Sequence, residues 1–159
     1  MPIRIRNAVP QDCVHIRPLQ EESTKLHQQG RPDLFKGNTR FYTVEEFQEK
    51  LNNPNNTLLI AEDETGAVVG YVSATLITNR NNPDFYDYNL FCIVDICVSS
   101  AHRRRGIGTQ LFEACKVKAK ELHCQTMDLR VWTFNKAAIA FYESCGMHNR
   151  VQNMEFVLD

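Results

Sequence analysis

The sequence predicts an α/β protein, a mixed sheet flanked by helices and formed as one domain over residues 1–159. Three observations predict it. Short apolar runs of strand character alternate with stretches of helical period. Their order along the chain reads β, α(α), β, β, β, α, β, α, β. A composition of 43% hydrophobic and 23% charged residues is that of a soluble chain with one good core.

The elements follow in order. IRIRNAV (3–9) alternates apolar and charged residues and reads as a half-buried strand. Residues 9–29 carry an early Asp12 and apolar residues at mixed helical spacing, interrupted by Pro18, and predict one or two helices. GRPDLFKGNTR (30–40) is a loop by composition. TVEEFQEKLNN (43–53) starts with a threonine followed three residues later by a glutamate, a capping-box pattern. Residues 57–77 give two strands joined at Glu64-Thr65-Gly66, and 79–89 form a polar loop bearing aromatics. LFCIVDICVSS (90–100) is a near-continuous apolar run, the pattern of a strand covered on both faces.

From Gly106 to Leu122, apolar residues at Ile107, Leu111, Cys115, Ala119 and Leu122 keep a helical period. TMDLRVWTF (126–134) reads as a strand, and NKAAIAFYESCG (135–146) as a helix with an Asn cap and a Gly stop. NMEFVLD (153–159) reads as a closing strand.

Charge and cysteine content exclude several classes. A formal charge of −1 carries no basic excess for nucleic acid or anionic membranes, so neither is expected as a partner. No apolar run reaches the ~18–20 residues of a membrane span. MPIRIRNAVP lacks the apolar segment of a secretory signal, and a cytoplasmic location is expected. The six cysteines (13, 92, 97, 115, 124 and 145) include no C-x-x-C pair and no histidine cluster of zinc spacing. They read as reduced, buried thiols, and no metal is expected.

The stretch AHRRRGIGTQLF (101–112) asks for an anion. A strand entering Gly-x-Gly and then a helix leaves unpaired backbone N–H groups at the positive end of the helix dipole. The glycines let backbone approach a bulky anion. A Walker loop is excluded because its lysine is missing, and a dinucleotide fingerprint because Leu111 replaces the third glycine. What remains is R-x-x-G-x-G from Arg103 to Gly108.

On these residues the sequence resembles the GNAT superfamily of acetyl-CoA-dependent N-acetyltransferases. DICVSSAHRRRGIGTQLFEAC is similar to their longest motif, although His102 stands where tyrosine is common. LRVWTFNKAAIAFYESCGM is similar to their fifth strand and fourth helix, with Asn-x-x-Ala-x-x-Phe-Tyr-x-x-x-Gly-Met running from Asn135 to Met147. The resemblance covers nearly the whole chain, and residues 94–147 carry its specific part.

It implies a mostly antiparallel central sheet of six to seven strands with helices on both faces. It implies that the amides of Arg104, Arg105, Gly106, Ile107, Gly108 and Thr109 hold the pyrophosphate of acetyl-CoA, with Arg103, Arg104 and Arg105 adding charge. The pantetheine arm would lie between splayed strands four and five and bond to backbone near Cys97 and Val98. Asn135, which caps a helix in any case, would contact the coenzyme from the other side. Tyr142 would sit beside the thioester sulfur, and Trp132 would border the acetyl pocket. Dimers are common in the family, so a homodimer is expected. RPDLFK (31–36) is similar to a stretch in some bacterial members, pointing to a bacterial enzyme.

Asp95 is a carboxylate within an apolar strand and costly to bury unless paired or used. By alternation it shares a face with Ile93 and Cys97 unless a bulge intervenes. It is either the base that takes the amine's proton, directly or through water, or a structural partner of a residue such as Arg130. The chemistry sets the need. A lysine-like amine of pKa ~10.4 costs roughly 4.6 kcal/mol to deprotonate at pH 7, an α-amine of pKa ~7.7–8.0 about 1 kcal/mol.

Tyr142 is protonated at neutral pH and suited to donate to the leaving thiolate. A backbone N–H near Cys97 or Val98 would meet the oxyanion. No activator stands near Cys97 or Cys145 in sequence, which disfavours a covalent cysteine route. His27–Phe35 and Asn79–Tyr88 are candidate walls for the acceptor, a small-molecule or peptide amine. A silent CoA-binding module of the same fold is the alternative.

Overall fold

The computed structural model describes residues 2–159. In chain order the elements are β1 (Arg4–Asn7), α1 (Asp12–His15), α2 (Arg17–Gly30), α3 (Val44–Asn52), β2 (Asn56–Glu62), β3 (Val68–Asn79), β4 (Tyr88–Val98), α4 (Ile107–Glu121), β5 (Thr126–Leu129) and α5 (Lys136–Ser144). A single 3₁₀ turn at Ser100–His102 joins β4 to the arginine–glycine loop.

Local chemistry explains most boundaries. Pro18 starts a helix rather than breaking one, because its missing N–H falls in the first turn of α2, where no intrahelical acceptor exists. The capping box forms in full: Thr43 Oγ1 accepts from the Glu46 N–H at 3.1 Å, and the Glu46 carboxylate accepts from the Thr43 N–H at 3.0 Å. The β2–β3 turn closes on Asp63, whose carboxylate accepts from the Thr65 and Ala67 amides, while Gly66 takes φ +85°.

The sheet has the order β1-β2-β3-β4-β5, with every neighbouring pair antiparallel except β4 and β5, which run parallel. One face carries the main core, where Phe91, Ile93, Val72 and Ala74 meet Ile107, Leu111, Phe112 and Cys115 of α4, with Phe141 of α5 against them. The other face packs Leu58, Ile60, Tyr71 and Cys97 under α1, α2 and α3 through Cys13, Ile16, Leu19 and Phe47. Helices therefore cover both faces.

At the edge of this second core Asp12 is 2% exposed and paired with the Arg6 guanidinium through two bonds of 2.7 and 2.9 Å. Burial raises its pKa, but the Arg6 guanidinium and the Val9 N–H outweigh that and hold it below 3.8.

Two sequence expectations are corrected. The sheet has five strands among the described residues, not six to seven, because the closing strand expected at 153–159 takes no regular structure. The strand expected at 126–134 stops at Leu129, leaving 130–134 as an irregular connection to α5. The physical reason lies on β4. Its pairing with β3 steps from Ser73↔Asp95 to Ala74↔Ile93, so Val94 is an extra, bulged residue. Pairing with β5 ends at Ile93, immediately before the bulge, where added twist turns the strands apart.

Candidate active site

The opening between β4 and β5 lies beyond the last paired residues, Ile93 and Leu129. From Val94 to Val98, β4 keeps β3 on one side and has no strand on the other, so alternate backbone groups face the opening. Cys97 and Val98, expected to offer backbone there, stand on this free stretch.

The bulge resolves where Asp95 points. With Val94 inserted, Ile93 belongs to the core under α4, whereas Asp95 and Cys97 turn to the face under α2. The Tyr71 hydroxyl donates to Asp95 Oδ2. Arg130 makes no ion pair with it among the described residues. Burial raises the Asp95 pKa above 3.8, against the lowering pull of the Tyr71 hydrogen bond and the charge of His27. Beside it lies a cavity of about 40 Å³, lined by Gln20, Tyr42, Lys50, Tyr71, Ser73 and Asp95 among others. The Gln20 side-chain oxygen is buried without a partner.

At the end of β4 the arginine–glycine turn has the geometry an anion needs. Arg104 and Gly106 take φ +60° and +75°, and Gly106 precedes α4 as its left-handed N-cap. The first intrahelical bond runs from the Gln110 N–H to the Gly106 carbonyl at 3.0 Å, so the Ile107, Gly108 and Thr109 amides have no helical acceptor. Gly108 also permits α5 to approach, since a Cβ there would meet the Phe141 ring at 3.1 Å. The three arginines do not act alike. Arg103 donates to the Val98 carbonyl at 3.2 Å and pairs with Glu22 at 3.4 Å. Arg104 and Arg105 are exposed and have no acidic partner among the described residues.

Asn135 caps α5, its side-chain oxygen accepting from the Ala138 N–H at 3.2 Å. Tyr142 lies in the last turn of that helix, half-buried against Phe141, and its hydroxyl has no protein hydrogen bond among the described residues. Burial raises its pKa, as do the charges of Asp95, Cys145 and Cys97, so the phenol is protonated at neutral pH. Burial pushes the Cys97 thiol up to about 12, and it bonds to the Leu19 carbonyl at 3.4 Å. No thiolate nucleophile is available from it.

The two expected walls separate. His27 and Phe35 stack with Trp132 and Phe134 into an aromatic group joining α2 to the 130–134 connection, with the Arg31 guanidinium over Trp132. The 79–88 loop lies at the other end of the β3–β4 ladder, where Asn79 faces Tyr88. Seven residues of strand separate it from Asp95, roughly 23 Å, so it is no wall of this site. Tyr71 and Gln20 were not legible as site residues. Tyr71 lies 24 positions from Asp95, and only the register of β3 on β4 brings them together. Among the described residues no group of three His, Cys, Asp or Glu could hold a metal ion.

A family model described as the acetyltransferase (GNAT) family matches residues 20–147. The chain belongs to that family. A point mutant of the BH1408 protein of Bacillus halodurans matches this GNAT chain with a TM-score of 0.93 at 30% identity, covering 98% of this chain and 99% of that one. The uncharacterized protein YdhI of Bacillus subtilis (strain 168) is 33% identical over 86 residues, 54% of this chain and 46% of that protein. The match thus spans less than half of that curated relative. The aminoglycoside N-acetyltransferase AAC(6')-Iy, solved in complex with CoA, shares the fold with a TM-score of 0.72 at 16% identity, covering 99% of this chain and 95% of that one. The mixed α/β architecture with one open sheet is that of the GNAT fold. No helix among the described residues is long and apolar enough to cross a membrane.

Proposed function

We propose that this GNAT protein is an N-acetyltransferase that moves the acetyl group of acetyl-CoA directly to a primary amine of a small molecule or peptide within a ternary complex. The observation that carries the reading is the opening between β4 and β5, with Asp95 on the free stretch of β4 and the Gly106 turn following the end of that strand. Tyr142 is assigned to the site from α5, the helix that follows β5.

The residues fit acetyl-CoA. Free amides at the start of α4, from Arg104 to Thr109, suit its pyrophosphate, and Arg104 and Arg105 supply unpaired charge. Arg103 holds the end of β4 in shape through the Val98 carbonyl and leaves part of its charge to the phosphates. The free edge of β4 at Cys97 and Val98 suits an extended amide-bearing arm, and Asn135 keeps its side-chain NH₂ for the coenzyme. The bound thioester supplies the activated acetyl carbonyl.

Asp95 takes the proton of the incoming ammonium, directly or through a water in the neighbouring cavity. Its raised pKa brings a carboxylate closer to the amine it must deprotonate. Tyr71 orients that carboxylate. A β4 backbone N–H meets the developing oxyanion, and the neutral Tyr142 phenol donates to the leaving sulfur. No metal takes part in this chemistry. A bacterial origin accords with the Bacillus relatives. Six free cysteines accord with the reducing cytoplasm.

Thiol release from acetyl-CoA against polyamines, amino acids, aminoglycosides and peptide N-termini tests the reading. Transfer to one amine class should fall about 10²-fold in Tyr142→Phe, the size of a lost general acid, with CoA affinity retained. CoA binding without amine-stimulated thiol release would leave a silent CoA-binding module. No CoA binding would sink the assignment of the turn.

A further inference from the structure

The cavity beside Asp95 is bordered by charge that the proposed chemistry does not use. Lys50, in the last turn of α3, lines it together with Gln20, Tyr42 and Ser73. The Lys50 ammonium lies 5.4 Å from the centre of the Tyr42 ring and makes no ion pair among the described residues. One residue earlier in the same loop, Phe41 carries the Arg17 guanidinium at 5.3 Å. The Arg17 Nε is buried without a hydrogen-bond partner. Arg17 stands three residues before Gln20 on α2, so the two share a helix face.

Neighbouring acids do not cancel these two cations. Glu46, one turn before Lys50, is engaged by Arg40 and by the Thr43 N–H. Glu21, one turn after Arg17, makes no ion pair with it among the described residues. Asp95 pairs with neither cation, and its bond is to Tyr71. The carboxylates beside the aromatic wall are engaged as well. Asp33 takes bonds of 2.9 and 2.7 Å from Arg31, and Glu155 takes bonds of 2.7 and 3.2 Å from the same guanidinium. That wall therefore leaves no free carboxylate to hold a second positive charge.

Resting on the transferase reading above, we infer that the acceptor is a small zwitterion, whose amine meets Asp95 and whose carboxylate or phosphate faces Lys50 and Arg17. The dimensions suit it. A cavity of about 40 Å³ holds roughly three water-sized groups, which is room for a two-carbon link. α3 packs on β2, two strand positions from β4, a span of roughly 10 Å that the Lys50 side chain shortens. The unpartnered Gln20 oxygen accepts a further N–H of the incoming ammonium, which has three to donate. A polyamine or an aminoglycoside brings added positive charge against Lys50 instead, so the same residues select against polycations.

NMR titration of the full chain tests this with two matched pairs, β-alanine against propylamine and phosphoethanolamine against ethanolamine. In at least one pair the anionic member should bind about tenfold tighter, the scale of one charge-assisted contact. The pair that shows it names the anion. The preference should vanish in Lys50→Gln and persist in Lys25→Gln, which alters an exposed lysine of α2. Acetyl transfer should follow the same order, with spermidine slowest. Equal affinities within both pairs would overturn the inference, and so would a preference that survives Lys50→Gln. Transfer that ignores the anion would overturn it too, while leaving the transferase reading intact. An anion preference in binding, with no amine acetylated, would sink the transferase reading and leave a zwitterion site.

Discussion

The Tyr71 hydroxyl donates to Asp95 across neighbouring strands, so the one carboxylate of β4 is held by a phenol that cannot itself ionise at neutral pH. Burial is the largest cause of the raised Tyr71 pKa, with the charge of Asp95 adding to it. The pair keeps one proton between two buried oxygens while leaving Asp95 a second oxygen for another partner.

Replacing Tyr71 by Phe removes the donor that pulls the Asp95 pKa down. The acid limb of the kcat/KM profile should move to higher pH, and kcat at neutral pH should fall. Stability should drop by about 1–3 kcal/mol, the cost of a buried polar group left without its partner. An unmoved acid limb would remove Asp95 from the proton path.

Asp95 also sets a sign for stability against pH. Its pKa is higher in the folded chain than its ordinary 3.8. The folded state therefore holds the proton more tightly, and stability falls as pH rises from about 4 through the folded value. Asp95→Asn removes that dependence. The variant should gain on the parent over this window by about 1.4 kcal/mol for each pH unit separating the two pKa values, then run parallel. Melting temperatures from pH 4 to 8 read this directly, and parallel curves throughout would contradict it.

The arginines of the turn should separate by role. Arg104→Ala and Arg105→Ala, which leave no protein partner behind, should each weaken CoA binding several-fold, most at low salt. Arg103→Ala should do more, because the Val98 carbonyl loses its side-chain donor and Glu22 keeps only the Ser100 N–H. Calorimetric titration at two salt concentrations distinguishes them. Equal, salt-independent losses would argue against phosphate contact.

Gly30 carries no unusual φ, yet it has no room for a side chain. A Cβ there would stand 2.2 Å from the Phe134 ring, which is stacked with Trp132 and meets His27 edge-on. Gly30→Ala should cost about 1–3 kcal/mol as an overpacked contact. It should also shift the emission of Trp132, the sole tryptophan. Unchanged fluorescence and melting would mean that α2 does not bear on this aromatic wall.

Elements defined by local chemistry were legible in the sequence. The Thr43–Glu46 box, the Asn135 cap and the Gly106 turn each depend on residues within a few positions, and all three form. The face of Asp95 was not legible, because one added residue at Val94 reverses the alternation on which a strand reading rests. The Tyr71 and His27 neighbours depend on strand register and on α2 docking, which no local pattern encodes. The closing strand was misread for a related reason. NMEFVLD has strand composition, but composition does not provide the neighbour that a strand requires.

The bulge at Val94 has an evolutionary consequence. Upstream of it β4 is bound to two neighbours, and a changed residue must suit a packed interior. Downstream, one side of the backbone is released, and position 95 contributes to neither hydrophobic interior. Selection can therefore trade the group at 95 to follow a new acceptor without renegotiating the scaffold. A single-residue deletion at 94 would leave Asp95 opposite Ser73 on the α2 side but remove the added twist that parts β4 from β5. Drift at this point should thus occur by substitution, with chain length kept.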